Sequence, residues 1–344
     1  MISKSQSSLT SVQGKNQVKN EANHILINAS HIVLLCTMLI SLFISLNSSA
    51  QHLYQSPKPL QKKVELEKII GELGSKTPSR KLNILWVYGY DKHHISGAHD
   101  YVKVKDMMTG LLKKVPDVTV SVAFHFPTKE QFENTDLIVM YVHLPKLSAE
   151  QYENFQDYIK NGGGVVSLHE TAIMRPAEEG KKLSECLGYA WNEGTSKWGA
   201  IFEDVRINNN HEIFKGFPEK IKISDEFYWD LFEKDGVEVL GTVHTGRTGN
   251  SKSPKSTVQL SDKKSTMFWT YGLGKGKVFG TTTGHHTFTY YDPEFRIILF
   301  RAMAWALNED ASPFMSLVFD GITDENDMVG TTELMRNWEG KHRE

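Results

Sequence analysis

Gly164-Val165-Val166-Ser167-Leu168-His169-Glu170 is a short apolar run that stops on an imidazole beside a carboxylate. Three other segments repeat the plan. Val278-Phe279-Gly280-Thr281-Thr282-Thr283-Gly284 runs into His285-His286. Leu82-Asn83-Ile84-Leu85-Trp86-Val87-Tyr88 leads to His93-His94, and Leu137-Ile138-Val139-Met140-Tyr141-Val142 ends on His143. Short apolar runs of this kind suit strands buried on both faces of a parallel sheet. Ligands of open α/β sheets bind outside the carboxyl ends of the strands. Histidine suits that place because it moves protons or binds metals near neutral pH.

Working outward, Ala98–Lys114 shows helical spacing through Val102, Met107, Met108, Leu111 and Leu112, and Val118–Phe124 alternates as a strand. Ser148-Ala149-Glu150-Gln151 reads as a capping box. It opens a helix carrying Tyr152, Phe155 and Tyr158, which stops at Asn161-Gly162-Gly163-Gly164. Alternating strands and helices predict an α/β fold with a doubly wound, mostly parallel sheet. Ile201–Ile207, Lys220–Ile223 and Val237–Val243 read as strands without long helices between them, which predicts an antiparallel extension. Lys277–Thr282 returns to a strand, and Pro293–Leu307 is a closing helix. Gly272-Leu273-Gly274-Lys275-Gly276-Lys277 precedes a strand, so it reads as a turn and not as a phosphate loop.

The chain has 344 residues, 40% hydrophobic and 23% charged, with a formal net charge of -2. No basic footprint points to nucleic acid. Residues 1–50 have the layout of a signal peptide. Lys4, Lys15 and Lys19 precede an apolar run from His31 to Leu46, and Ser48-Ser49-Ala50 follows. The run is about 16 residues, short of the ~20 needed to span a bilayer. Cleavage near Ala50 is expected, leaving no stable membrane span and a periplasmic or secreted protein. Residues 51–80 read as a polar tether, 81–310 as one domain, and 311–344 as an unassigned tail. Cys186 reads as a small buried hydrophobe.

The candidate catalytic residues are His169, Glu226 and His285. His94, Glu170, Asp225, Tyr228, Trp229 and His286 are candidates for substrate binding. Ser224-Asp225-Glu226-Phe227-Tyr228-Trp229-Asp230 sets two carboxylates before aromatics. One reading puts Glu226 or Asp225 in a pocket walled by Tyr228 or Trp229. The other makes Asp225 a turn cap and the aromatics core. Neighbours on a strand face opposite ways, so one of His285 and His286 enters the pocket, and His285 is preferred. Acid–base work needs one histidine and one carboxylate within reach. Zinc needs three or four ligands. Without a His-Glu-x-x-His motif or paired cysteines, a divalent metal has no local signature, and His169, Glu226 and His285 are its ligands if one binds.

The blocks Gly162–His169, Asp225-Glu226-Phe227-Tyr228, Tyr271–Phe279 running into Gly284-His285-His286, and the Phe295–Leu307 helix together resemble the ThuA (trehalose-utilisation-like) family over about Asn83 to Leu307. That resemblance implies the flavodoxin-like fold of class I glutamine amidotransferases. Those enzymes carry a cysteine nucleophile after a strand, where this chain has Leu168-His169-Glu170, so cysteine-dependent amide hydrolysis is not expected. The resemblance implies a small carbohydrate as partner, a disaccharide or an oxidised (keto) sugar. Relatives often carry a further histidine in the middle region, where this chain has Trp198-Gly199 and, further on, His211. An isomerase, lyase or hydrolase fits these parts, by acid–base or metal-assisted chemistry. A non-catalytic carbohydrate-binding module, stacking sugar on Tyr228, Trp229 and Tyr290, is the alternative. Homo-oligomerisation stays open.

Overall fold

The computed structural model describes residues 58, 60–90, 97–244 and 264–321. Four strands pair in parallel: β1 (Leu82–Tyr88), β2 (Val118–Phe124), β3 (Leu137–Tyr141) and β4 (Gly164–Leu168). Side chains alternate across the sheet. On β1, Ile84 and Trp86 join one buried cluster and Leu85 and Val87 another. The long helices α2 (Tyr101–Leu112) and α6 (Pro293–Leu307) pack into the first cluster. The second is built with α4 (Ala149–Lys160) and α5 (Ala177–Leu187). Coverage on both faces is why these strands are apolar almost throughout. The Ser148 hydroxyl accepts from Gln151 N at 3.1 Å, and Gln151 Oε1 accepts from Ser148 N at 2.8 Å, so the capping box forms as the sequence predicts.

After α5 the chain turns to antiparallel strands: β6 (Lys197–Ile207), β7 (Lys220–Trp229), β9 (Glu238–His244) and β10 (Lys264–Leu273), returning through β11 (Gly276–Thr281). β5 (Tyr189–Ala190) and β8 (Phe232–Glu233) pair separately. The main sheet runs β2-β1-β3-β4-β11-β10-β9-β6-β7, with β11 parallel to β4 and antiparallel to β10. The glycine-rich segment is the β10–β11 hairpin, with Gly274 at φ 63 in its two-residue turn. Four strand spacings separate β11 from β7, ~19 Å in a flat sheet. Yet the carboxylate of Asp225 on β7 accepts from Gly284 N, just past β11, at 2.9 Å. The antiparallel half therefore curls back over the ends of the parallel strands.

The described part of the segment read as a polar tether, residues 58 and 60–80, is packed. Helix α1 (Lys63–Ile70) seats Leu66 and Ile69 in the core, and Arg301 Nη2 donates to Ile69 O at 2.7 Å. Lys58 pairs with Glu294 and with Asp292. Composition misleads here because an eight-residue helix anchored by two apolar side chains is polar on average. In the stretch left unassigned, α7 (Ser312–Met315) and the turns after it bury Phe314, Met315, Leu317 and Val318.

Candidate functional site

β4 ends where Leu168 hands over to His169, which adopts φ 51 and opens a single helical turn, His169–Ala172. A non-glycine residue in this left-handed region costs on the order of 1–3 kcal/mol and is typical of functional positions. The bend turns the imidazole inward until it is fully buried. Its Nδ1 lies 2.7 Å from the Thr282 carbonyl oxygen, just past neighbouring β11. A carbonyl only accepts, so Nδ1 carries the proton and Nε2 presents a lone pair.

His285 leaves the same sheet edge two residues beyond Thr283. Its backbone N donates to Asp225 Oδ1 at 3.0 Å. Gly284 before it adopts φ 124, and a Cβ there would lie 2.6 Å from Tyr290 Oη, so only glycine fits. His99 precedes α2 and also sits at positive φ, 55. Its segment is stitched to that of His285. His99 N donates to His285 O at 2.9 Å, Thr287 N to Gly97 O at 2.8 Å, and the Asp100 carboxylate accepts from Thr287 Oγ1 at 2.6 Å.

The three imidazoles converge. His99 Nε2 is 3.0 Å from His169 Nε2, His169 Nε2 is 3.2 Å from His285 Nδ1, and His285 Nδ1 is 2.9 Å from His99 Nε2. β7 adds two groups on one face. Glu226 Oε1 lies 3.8 Å from both His169 Nε2 and His285 Nδ1. Tyr228 Oη lies 2.8 Å from His169 Nε2, its ring stacked on the imidazole at 4.8 Å. Behind the trio, Glu170 binds Tyr101 Oη, sits 2.9 Å from His143 Nδ1 and 3.3 Å from His99 Nδ1.

Burial sets the charge states. Desolvation, then the neighbouring imidazoles, pushes His169 down to about 3 and His285 well below its ordinary range. Burial, then the charges of Asp225 and Glu170, raises Glu226 well above the usual carboxylate range. Desolvation works against ionised Glu170, but His143, His99 and Tyr101 together hold it at about 2. The cluster thus holds two neutral imidazoles, His169 and His285, with the ionised carboxylate of Glu170 behind them and the carboxyl of Glu226, its proton favoured, beside them. Such a set can accept and return a proton, or present nitrogen lone pairs to a cation.

The structure brings His169, Glu226 and His285 together, with Glu170 and Tyr228 against them. Three other candidates take different places. Asp225 is fully buried and spends its oxygens on Glu226 N, Gly284 N, His285 N and Thr289 Oγ1, so it ties the His285 turn to β7 and does not face a ligand. Trp229 lies on the opposite face of β7 from Tyr228 and stacks on Phe227 in the core. His286, 6% exposed, stacks on Phe288 and packs edge-on against the His285 ring at 4.6 Å. His94 lies outside the described residues. Sequence reasoning missed His99 and Tyr101, and it noted His143 at a strand end without giving it a role. His99 stands at the start of a helix and not at a strand end, and the His93-His94 pair drew attention from it. Cys186 is buried on α5, its thiol pushed up to about 12 by desolvation, which leaves it inert as a nucleophile.

The family model ThuA, described as trehalose utilisation, matches residues 87–306. Two solved structures share the fold. A ThuA-like protein from Bacteroides uniformis aligns with a TM-score of 0.53 at 19% identity, covering 71% of this chain and 100% of its own. A ThuA-like protein from Parabacteroides merdae aligns with a TM-score of 0.51 at 17% identity, covering 66% and 90%. No curated protein matches the chain by sequence.

Proposed function

The chain belongs to the ThuA family of trehalose-utilisation proteins, and on that footing we propose that it is a carbohydrate-processing enzyme acting on a disaccharide or a keto-sugar. The observation that carries this reading is the partly buried carboxyl of Glu226, set 3.8 Å from the imidazoles of His169 and His285 beyond the carboxyl ends of β4 and β11. Pure recognition needs no such group. A carboxyl with a raised pKa is the usual donor and acceptor for proton transfer beside a sugar carbonyl or glycosidic oxygen. Isomerisation or elimination next to a keto group needs only these parts, and hydrolysis is compatible with them. The binding-module reading would rest on Tyr228, Trp229 and Tyr290 as stacking faces. All three are buried, which deprives it of its surface. The leader-like residues 1–50 make this an exported enzyme in our reading, which N-terminal sequencing of protein from the periplasm or medium tests.

The test of function is incubation of purified protein with trehalose, other disaccharides and their 3-keto derivatives, followed by NMR. Turnover of one of them is expected. Glu226→Gln, nearly the same shape, should retain sugar binding and lose turnover by ~100-fold or more. Equal rates in the variant and the parent would refute the role of Glu226.

A further inference from the structure

We propose that His99, His169 and His285 hold a divalent first-row metal ion, zinc foremost, on the face formed by His99 Nε2, His169 Nε2 and His285 Nδ1. The inference deepens the reading of this cluster as the working site and rests on that reading for its catalytic meaning only. Its geometry stands on other grounds. These three nitrogens form a triangle with edges of 2.9, 3.0 and 3.2 Å. Zinc–imidazole bonds of 2.0–2.1 Å at tetrahedral angles require nitrogens ~3.3 Å apart, so the site needs to open by only a few tenths of an ångström.

The tautomers point the same way. The Thr282 carbonyl takes the Nδ1 proton of His169, and Glu170 Oε2, at 3.3 Å, takes that of His99. Both Nε2 atoms are then acceptors 3.0 Å apart, and the Tyr228 hydroxyl, 2.8 Å from His169 Nε2, donates to one of them without placing a proton between the two. Two lone pairs at that distance repel, and one cation between them converts the repulsion to attraction. Outer partners that fix tautomer and ring orientation in this way are the regular companions of metal-binding histidines, the carboxylate–histidine pair above all. Two of the three residues sit at positive φ, His99 at 55 and His169 at 51, a cost that packing alone would not select at both. Three neutral ligands leave a 2+ ion uncompensated, and two carboxyl groups, those of Glu170 and Glu226, lie directly against the trio. Imidazole-rich sites suit zinc, copper, iron and nickel, and not calcium or magnesium, which prefer oxygen. A bound ion of this class would act as a Lewis acid on a sugar oxygen.

The experiment is metal analysis of the full chain carrying an affinity tag without histidine, as purified and after incubation with zinc followed by desalting. About one equivalent of zinc or another first-row metal per chain is expected. Chelation should lower the melting temperature and zinc should restore it. His99→Ala, whose side chain is partly exposed, should fold and fall below a fifth of an equivalent, while His125→Ala should retain full loading. Fewer than 0.1 equivalents in the parent protein after zinc incubation would overturn the inference, as would unchanged loading in both His99→Ala and His285→Ala. Full loading without turnover of any sugar would leave the metal site standing and sink the enzymatic reading. Turnover by protein that binds no metal would do the reverse.

Discussion

Asp225 ties a strand of the antiparallel half to the turn that carries His285, so its removal should loosen fold and site together. Its carboxylate accepts from Gly284 N at 2.9 Å, His285 N at 3.0 Å and Thr289 Oγ1 at 2.5 Å, in full burial. Asp225→Ala strands these three donors and also Glu226 N, which the same carboxylate holds. Each buried, unmatched donor costs ~1–3 kcal/mol, for a total of ~4–12 kcal/mol. Water entering the vacated space pulls the value toward the lower end. Asp225→Asn keeps one acceptor oxygen and should cost roughly half as much. Thr289→Val removes one donor with its partner left satisfied by the others, and should cost ~1 kcal/mol. Urea unfolding followed by tryptophan fluorescence measures the series. The expected order of midpoints is parent, Thr289→Val, Asp225→Asn, Asp225→Ala. With a slope of ~3 kcal/mol/M, the alanine variant should lose at least ~1 M. An alanine midpoint within 0.2 M of the parent, or above that of the asparagine variant, would refute the bridging role.

Three further outcomes are expected. His169, His285 and His286 are all lowered by burial, so each contributes stability above pH ~6.5 that is lost as pH falls below it, for His169 and His286 down to about 3, at ~1.4 kcal/mol per unit. Asp225 and Glu226, both raised by burial, run the other way. The net result is a shallow loss from pH 6.5 to 4.5 and a steeper one below, where protonation of Glu170 on the way to about 2 adds to it; a urea midpoint unchanged from pH 7 to 4 would contradict this. Glu226→Gln should stabilise the fold by ~1–3 kcal/mol at pH 7, because it removes a carboxyl that ionises only on unfolding, and the gain should shrink toward pH 4.5. Leu66→Ala on α1 should cost ~2–5 kcal/mol, since Leu66 is 0% exposed; a cost below 0.5 kcal/mol would return residues 63–70 to the status of a tether.

The parallel half was legible because each of its strands carries its own signal. Leu82–Tyr88 and Gly164–Leu168 are apolar on both faces, and Ser148 with Gln151 marks a helix start by chemistry that acts within four residues. The antiparallel half was less so. β10 passed unnoticed because Lys264–Leu273 mixes lysine, serine and threonine with aromatics, its burial depending on pairing with β9 and β11. His169, Glu226 and His285 could be chosen as acids and bases at element ends. His99 could not, because what makes it a partner is a hydrogen bond from its own backbone to His285 O, 186 positions away. Asp225 and Glu226 are adjacent and chemically alike. Only the curl of the sheet decides that one braces a turn and the other faces the imidazoles.

That curl makes the histidine cluster depend on an edge strand. β7 lies at the outer margin of the described sheet, with β6 its sole ladder partner there. Margins fray before interiors melt. When β7 lifts, Asp225 withdraws its hold on the His285 turn, and Glu226 and Tyr228 depart with it. Mild heat or denaturant would then take the cluster apart while the parallel strands and their helices stay intact.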